Sequence, residues 1–192
     1  MHLHLLGRAP YSLLIGLACL SVGAAGAATK DAPKAPAMPA IGKKAPDFTL
    51  QADDGKTYKL SKQKGSWVAL TFYPKDNTPG CTAEACSLRD EMGDLKGLGV
   101  RVFGISLDGI ESHKSFAEQQ KLNYPLLADP DKKVTQRYGV LHESGNFAKR
   151  VTFIIDPKGV LRKIDDGVKT GTHGKDLVAE VKELKEEKKP AA

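Results

Sequence analysis

Short apolar runs alternate along this chain with segments in which apolar residues recur at helical spacing. The apolar runs are bounded by turn residues and predict strands at 48–50, 58–60, 67–73, 100–105, 126–127, 151–156 and 160–164. Helical spacing predicts a helix that carries Cys81, then helices over 111–122 and 134–138. A last amphipathic helix presents one apolar face, formed by Leu177, Val178, Val181 and Leu184.

The order of these elements predicts the architecture. The first two strands are joined by the turn 53–55 and form a hairpin, and the last two form a second hairpin around 157–159. Glycines at 93, 97 and 99 are expected to end the helix that carries Cys81. Strands that alternate with helices and finish in a hairpin and a helix predict a three-layer α/β domain.

The first 28 residues have the pattern of a targeting segment. Arg8 precedes the apolar run 13–20, small residues follow as far as Ala28, and the first acidic residue is Asp31. This pattern predicts a secretory signal peptide over 1–28 and therefore a periplasmic or secreted protein. The apolar run is too short to span a bilayer, so no integral membrane span is expected.

Two alternatives to a cleaved leader remain open at this point. Cys19 is a candidate lipidation site, although Gly16 stands where a lipobox prefers leucine. An organelle transit peptide would also lack acidic residues, but it would carry more arginine and serine. After the leader, residues 29–40 predict a Pro/Ala-rich linker and 188–192 a disordered tail.

Residues 41–187 are enough for one domain with a normal core. The 192-residue chain has 29 basic and 23 acidic residues and a net charge of +6. The lysines are scattered, and no basic stripe with interleaved aromatic residues occurs, so no nucleic-acid partner is expected. Three cysteines are too few for a disulfide scaffold, and Cys19 belongs to the leader, which leaves the pair Cys81 and Cys86.

Cys81 follows an apolar strand at a predicted helix start. Thr78 suits the N-cap and Pro79 the first helical position, which places Cys81 in the first turn. Unpaired N–H groups and the positive end of the helix dipole favour a thiolate there, and the thiolate is the nucleophilic form of cysteine. The pattern therefore predicts a redox-active thiol.

The spacing between Cys81 and Cys86 favours a disulfide that forms only when the helix opens. Residues five apart in a helix have Cα atoms roughly 8.6 Å apart. Disulfides usually need about 4.4–6.8 Å between these atoms. A structural disulfide in an exported protein remains an alternative if the segment is never helical. A zinc site is less favoured, because two cysteines without a histidine cluster do not supply four ligands.

The segment from Tyr73 to Cys86 resembles the peroxiredoxins, and most closely their bacterioferritin-comigratory protein (PrxQ) branch. The family pattern P-x-x-x-T-x-x-C is met by Pro74, Thr78 and Cys81, and the branch pattern Y-P-K-D-x-T-P-G-C-T-x-E-A-C is matched almost letter for letter. The likeness continues through 102–106, 112–116 and 125–129 to 150–156. It covers roughly 41–187, and it implies a thioredoxin fold with an N-terminal β-hairpin.

The resemblance also implies a role for each matching residue. Cys81 would be the peroxidatic cysteine and Cys86 the resolving cysteine, joined in an intramolecular disulfide during turnover. Thr78 would turn its hydroxyl toward the sulfur and the peroxide, and Arg150 would favour the thiolate and orient the substrate. Pro74 would close one wall of the pocket. Glu84 would hold Arg150.

The expected function is thus a thiol peroxidase that reduces hydrogen peroxide and organic hydroperoxides. It would need no cofactor and no metal, would be recycled by thioredoxin or a similar dithiol, would serve antioxidant defence and would be a monomer. The alternative is a periplasmic thioredoxin-like disulfide oxidoreductase, but those proteins usually carry C-x-x-C after a tryptophan, whereas Trp67 is far upstream here. A catalytic role is not expected for His113 or His173.

Overall fold

The computed structural model describes residues 36–187. The predicted signal peptide, Cys19, the tail 188–192 and the linker before Pro36 lie outside the described residues. At the described end of the predicted linker, Met38 is partly buried and packs against the core.

Seven strands and five α-helices form the described part of the chain. The strands are β1 (Thr49–Ala52), β2 (Thr57–Lys59), β3 (Trp67–Phe72), β4 (Val100–Ser106), β5 (Leu126–Ala128), β6 (Val151–Ile155) and β7 (Leu161–Asp165). The helices are α1 (Pro79–Asp90), α2 (Met92–Gly97), α3 (Ile110–Gln120), α4 (Lys133–Arg137) and α5 (His173–Glu186). A single 3-10 turn, Leu60–Gln63, follows β2.

All seven strands belong to one mixed sheet, in the order β2-β1-β5-β4-β3-β6-β7. Strands β3, β4 and β5 are parallel neighbours, and the remaining pairs are antiparallel. The parallel strands are joined through helices, as parallel pairing requires. Helix α1 therefore begins beyond the carboxyl end of β3, near the middle of the sheet.

Side chains of β3 alternate between two apolar clusters, one on each face of the sheet. Trp67 and Ala69 pack with apolar residues of α1, α2 and α5, together with Phe116 of α3. Val68, Leu70 and Phe72 pack on the opposite face with Tyr138, which directly follows α4. All six residues of β3 are buried, as expected for a central strand covered on both faces.

The predicted elements are present, with one difference in the helix that carries the cysteines. Both predicted hairpins form, and the turn after β1 uses Gly55 at a φ of 77°. The prediction that glycines at 93, 97 and 99 end the cysteine helix is wrong, because α1 already ends at Asp90 and a separate short helix starts at Met92. Glu91 stands between them at φ −97° and ψ 6°, outside helical geometry.

Helices α1 and α5 touch at a glycine. The N–H of Gly174 donates to Ser87 Oγ at 3.0 Å. A Cβ atom on Gly174 would lie 2.2 Å from the carbonyl oxygen of Ser87, so any larger residue would push the two helices apart. This close approach sets where α5 begins relative to the cysteines on α1.

No helix in the described part of the chain is long and apolar enough to cross a membrane.

Candidate active site

The site is built around the loop from Tyr73 to Thr78, which connects β3 to α1. Asp76 anchors this loop from a nearly fully buried position. Tyr73 donates its hydroxyl to Asp76 Oδ1 at 2.7 Å, and His113 of α3 lies 2.8 Å from Asp76 Oδ2 through Nδ1. Burial alone would raise the pKa of Asp76, but hydrogen bonds from His113, Tyr73 and Ser112 lower it below the ordinary 3.8.

Thr78 occupies the N-cap position of α1 and Pro79 its first turn, as the sequence predicts. Thr78 makes no side-chain cap bond to the helix; its hydroxyl donates to the carbonyl oxygen of Lys75 at 3.1 Å. The expected capping bond is therefore replaced by a bond that tightens the loop before the helix. A hydroxyl that donates to a carbonyl still has free lone pairs to accept a hydrogen bond.

Cys81 lies in the first turn of α1, and only 2% of its surface is exposed. Arg150, the residue before β6, donates Nη2–H to Cys81 Sγ at 3.2 Å. The two residues are far apart in sequence and meet because β3 and β6 are neighbours in the sheet. A guanidinium beside a sulfur at a helix N-terminus stabilises the thiolate over the thiol.

Glu84 lies one turn after Cys81 on α1, and its side chain is 4% exposed. Its Oε2 pairs with Arg150 Nη1, as the resemblance implies. Arg150 thus contacts the carboxylate through one terminal nitrogen and the sulfur through the other. Because the guanidinium is planar, these two contacts fix its orientation.

His173 was not expected at the site, yet it contacts Glu84. Its Nδ1 lies 3.0 Å from Glu84 Oε1, and its Nε2 lies 3.0 Å from Thr152 Oγ1. The histidine begins α5, far from the cysteines in sequence, and only the packing of α5 on α1 brings it there. The sequence signal that was available is Gly174, a small residue directly after the histidine at the start of an amphipathic helix.

Cys86 lies on the same helix but in different surroundings. It is half-buried, and its sulfur donates to Gln120 Oε1 of α3 at 3.7 Å. Both Cys81 and Cys86 are free thiols. They lie five residues apart on the continuous helix α1, so the roughly 8.6 Å between Cα atoms that helix geometry gives applies here.

The space behind Cys81 is closed by aromatic side chains. A cavity of about 10 Å³ lies between Cys81, Tyr73, Phe116 and Tyr124. Such a volume holds at most one water molecule, so this cavity has no room for a larger reactant. Pro74 is half-buried and lies on the loop between β3 and α1, directly after Tyr73.

Metal-ligating side chains do not cluster in residues 36–187, where no three His, Cys, Asp or Glu residues are placed to hold an ion.

The sequence matches the model of the AhpC/TSA family over residues 41–164. It is 40% identical over 152 residues to "Peroxiredoxin Bcp" of Bacillus subtilis, an alignment that covers 76% of this chain and 97% of that protein.

Solved structures with the same architecture carry related names. The crystal structure of peroxidoxin BcpB from Mycobacterium tuberculosis matches with a TM-score of 0.69 and 31% identity, over 75% of this chain and 97% of that chain. The bacterioferritin comigratory protein of Xanthomonas campestris, which is described as having alkyl peroxide reduction activity, matches with a TM-score of 0.67 and 27% identity, over 71% of this chain and 91% of that chain. These likenesses confirm the predicted α/β thioredoxin fold.

Proposed function

Because this chain belongs to the AhpC/TSA family and to the Bcp/PrxQ branch of the peroxiredoxins, we propose that it reduces peroxides through Cys81 and resolves the product through Cys86. The observation that carries the proposal is the 3.2 Å contact between Arg150 Nη2 and Cys81 Sγ in the first turn of α1. Family membership makes the protein a thiol-dependent peroxidase, and this contact supports Cys81 as the sulfur that reacts.

In the first step, the Cys81 thiolate attacks the nearer oxygen of the O–O bond. A sulfur–oxygen bond forms, the O–O bond breaks, and the sulfur is oxidised by two electrons to a sulfenic acid. The departing oxygen takes a proton and leaves as water from hydrogen peroxide or as an alcohol from an organic hydroperoxide. Arg150 stabilises the thiolate before attack, and its guanidinium lies beside the sulfur, where it can donate to the peroxide oxygens.

Three residues around Cys81 position the reacting groups for this step. Thr78 has lone pairs left to accept a hydrogen bond from a hydroperoxide O–H while its own hydroxyl donates to the carbonyl oxygen of Lys75. Pro74 limits the space on the loop side of the sulfur. Glu84 keeps Arg150 in place, since a buried carboxylate and a guanidinium hold each other strongly once both are removed from water.

In the second step, the Cys86 thiolate attacks the sulfur of the sulfenic acid. A disulfide forms and hydroxide leaves, taking a proton to become water. Five helical residues separate the two cysteines, so α1 must unwind between them before the bond can form. An external dithiol such as thioredoxin then reduces the disulfide and restores both thiols.

Peroxide consumption by the wild type, Cys81→Ser and Cys86→Ser tests the proposal. We expect Cys81→Ser to lose turnover, because serine is a far weaker nucleophile. Cys86→Ser should still consume one equivalent of peroxide and then stop or become overoxidised at Cys81. Unchanged turnover in Cys81→Ser would exclude the proposed role, and insulin reduction that exceeds peroxide reduction would favour a disulfide oxidoreductase instead.

We also propose a periplasmic or secreted location, no cofactor and a monomeric state. The location rests on the pattern of residues 1–28 alone, and the physiological dithiol would then have to act outside the cytosol. Intact-mass measurement of the protein purified from its natural compartment would give the cleavage position. A retained leader, or a lipid on Cys19, would contradict the cleaved form.

A further inference from the structure

A buried pair of polar atoms lies directly behind the arginine of the site. Glu84 Oε1 and His173 Nδ1 are 3.0 Å apart, and both side chains are more than nine-tenths buried. The contact is at ion-pair distance, and neither atom has a hydrogen-bond partner in the described part of the chain. A buried carboxylate oxygen without a donor is costly, and His173 Nδ1 lies within donor distance of it, so a small rotation of either side chain would pair the two atoms.

The chemistry of the pair assigns the proton. An ionised carboxylate only accepts hydrogen bonds, so His173 must carry its hydrogen on Nδ1. Its Nε2 then has a lone pair and accepts the hydroxyl proton of Thr152, whose Oγ1 lies 3.0 Å away. Thr152, on β6, is thus a partner for the second ring nitrogen in the tautomer that Glu84 requires.

The surroundings keep the imidazole neutral. Burial lowers the pKa of His173 from 6.5 to about 4, and the charge on Arg150 acts in the same direction. Three carboxylates act in the opposite direction, Asp165 from β7 and Glu180 and Asp176 from α5. At neutral pH the histidine therefore carries no charge, and its Nδ1–H is available to Glu84.

The contacts continue in one line from the histidine to the reactive sulfur. Glu84 binds His173 through Oε1 and Arg150 through Oε2, so the rotation of its carboxylate is fixed from both sides. Arg150 in turn contacts Cys81 Sγ. Without the His173 donor, the free carboxylate oxygen would attract both guanidinium nitrogens and draw Arg150 away from the sulfur.

We propose that His173 is a positioning residue of the thiol site, which fixes Glu84 through Nδ1–H and thereby holds Arg150 against Cys81. The proposal rests on the proposed function only in taking Cys81 as the reactive thiol. A histidine that merely fills space would affect the stability of the fold, whereas a positioning histidine also affects the pH at which Cys81 ionises.

The test compares His173→Leu with His173→Asn in the otherwise intact protein. Asparagine places an N–H close to the position of Nδ1, and leucine has no donor. The readout is the rate of Cys81 alkylation by iodoacetamide as a function of pH, with the modified residue identified by peptide mass spectrometry. This rate reports the thiolate fraction and requires no peroxide.

For His173→Leu we expect the alkylation midpoint to rise by about one pH unit and the rate below the midpoint to fall roughly 10-fold. His173→Asn should recover most of this loss. His142→Leu is the matched control, since His142 lies in the loop 141–148 and stacks on Phe147, and it should leave the midpoint unchanged. A folded His173→Leu protein with the wild-type midpoint would overturn the proposal, as would an Asn variant as impaired as the Leu variant.

Thr152→Val provides a second, milder test that applies even if His173→Leu does not fold. Valine has the shape of threonine but leaves Nε2 without its donor, so the imidazole loses one of the two contacts that hold its orientation toward Glu84. We expect a smaller rise of the Cys81 midpoint, and an unchanged midpoint would overturn the proposal. Peroxide turnover of the wild type tests the proposed function separately, since the alkylation profiles do not depend on it.

Discussion

The two cysteines of α1 lie five residues apart and differ in burial and in the partners of their sulfur atoms. Cys81 is buried and accepts a hydrogen bond from a guanidinium, an interaction that favours the thiolate. Cys86 is half-buried and donates its proton to an amide oxygen, an interaction that requires the thiol. Burial and the surroundings of each sulfur, rather than the helix they share, distinguish the thiol that we expect to react first from the one that we expect to react second.

An arginine paired with a carboxylate lies near each cysteine, and burial makes the two pairs different. Arg150 and Glu84 are 20% and 4% exposed, whereas Arg89 and Asp90 near Cys86 are 29% and 63% exposed. Ion pairs in contact with water contribute little, while buried ones act over a low dielectric. We therefore expect the reactivity of Cys81 to depend strongly on Arg150, and that of Cys86 to depend only weakly on Arg89.

The largest expected effect comes from removing that arginine. Arg150→Met should lower kcat/KM for hydrogen peroxide by about 10²–10³-fold, because the cation that stabilises the reacting sulfur is lost. Arg89→Met is the matched control at the other end and should change kcat/KM by less than about 3-fold. An equal decrease in kcat/KM in the two variants would contradict the proposed difference between the surroundings of Cys81 and Cys86.

Acid should lower the free energy of unfolding because His173, which lies behind the Cys81 site, is buried in its neutral form. The pKa of His173 is about 4 in the folded protein and near 6.5 when unfolded, so the unfolded chain binds the extra proton first as the pH falls. The free energy of unfolding should decrease between pH 6.5 and 4, by up to about 3 kcal/mol from this residue. Urea unfolding across this range would measure the slope, and His173→Asn should flatten it. A wild-type profile with no slope in this window would contradict the buried neutral histidine.

The contact between α1 and α5 should be sensitive to one methyl group. Gly174→Ala places a Cβ within 2.2 Å of the Ser87 carbonyl oxygen, and we expect a loss of about 1–3 kcal/mol in the free energy of unfolding. Gly97→Ala is the matched helical control, because nothing lies within 4 Å of its added Cβ. Thermal unfolding compares the two, and a Gly174→Ala protein as stable as the control would show that the helices are free to separate.

The smallest expected effect is at Cys86. Gln120→Leu removes the acceptor of the thiol proton. Because this bond is weak, its loss should raise the alkylation rate of Cys86 by only about 2–5-fold. The Cys81 rate should not change. Gln119→Leu is the control, since the exposed Gln119 bonds to Ser115 instead. A change at Cys81 as large as that at Cys86 would show that the two ends are not independent.

Local sequence signals predicted the part of the site that lies on one segment of chain. The apolar run of β3, then Thr78 and Pro79, placed Cys81 in the first turn of a helix, because strand periodicity and helix-start preferences are local properties. The cap itself differed, since the hydroxyl of Thr78 found a nearer acceptor in Lys75.

Contacts between segments that are distant in sequence could be predicted only where the family resemblance implied them. Arg150 and Glu84 were expected from it, and the structure brings both to Cys81. His173 was not, since its contact depends on how closely α5 packs on α1, which Gly174 sets in three dimensions. The break at Glu91 was also missed, because glycines further along gave a stronger sequence signal than the local backbone geometry that ends α1.

The bond from Gly174 to Ser87 also sets a boundary for partial unfolding of α1. Ser87 comes one residue after Cys86, and Leu88 beyond it is 1% exposed. Fraying that starts at the N-terminal turn can thus release the stretch between the two sulfurs and stop at a residue tied to α5. The backbone that must rearrange is short, and the rest of the domain can stay folded as a template on which α1 reforms.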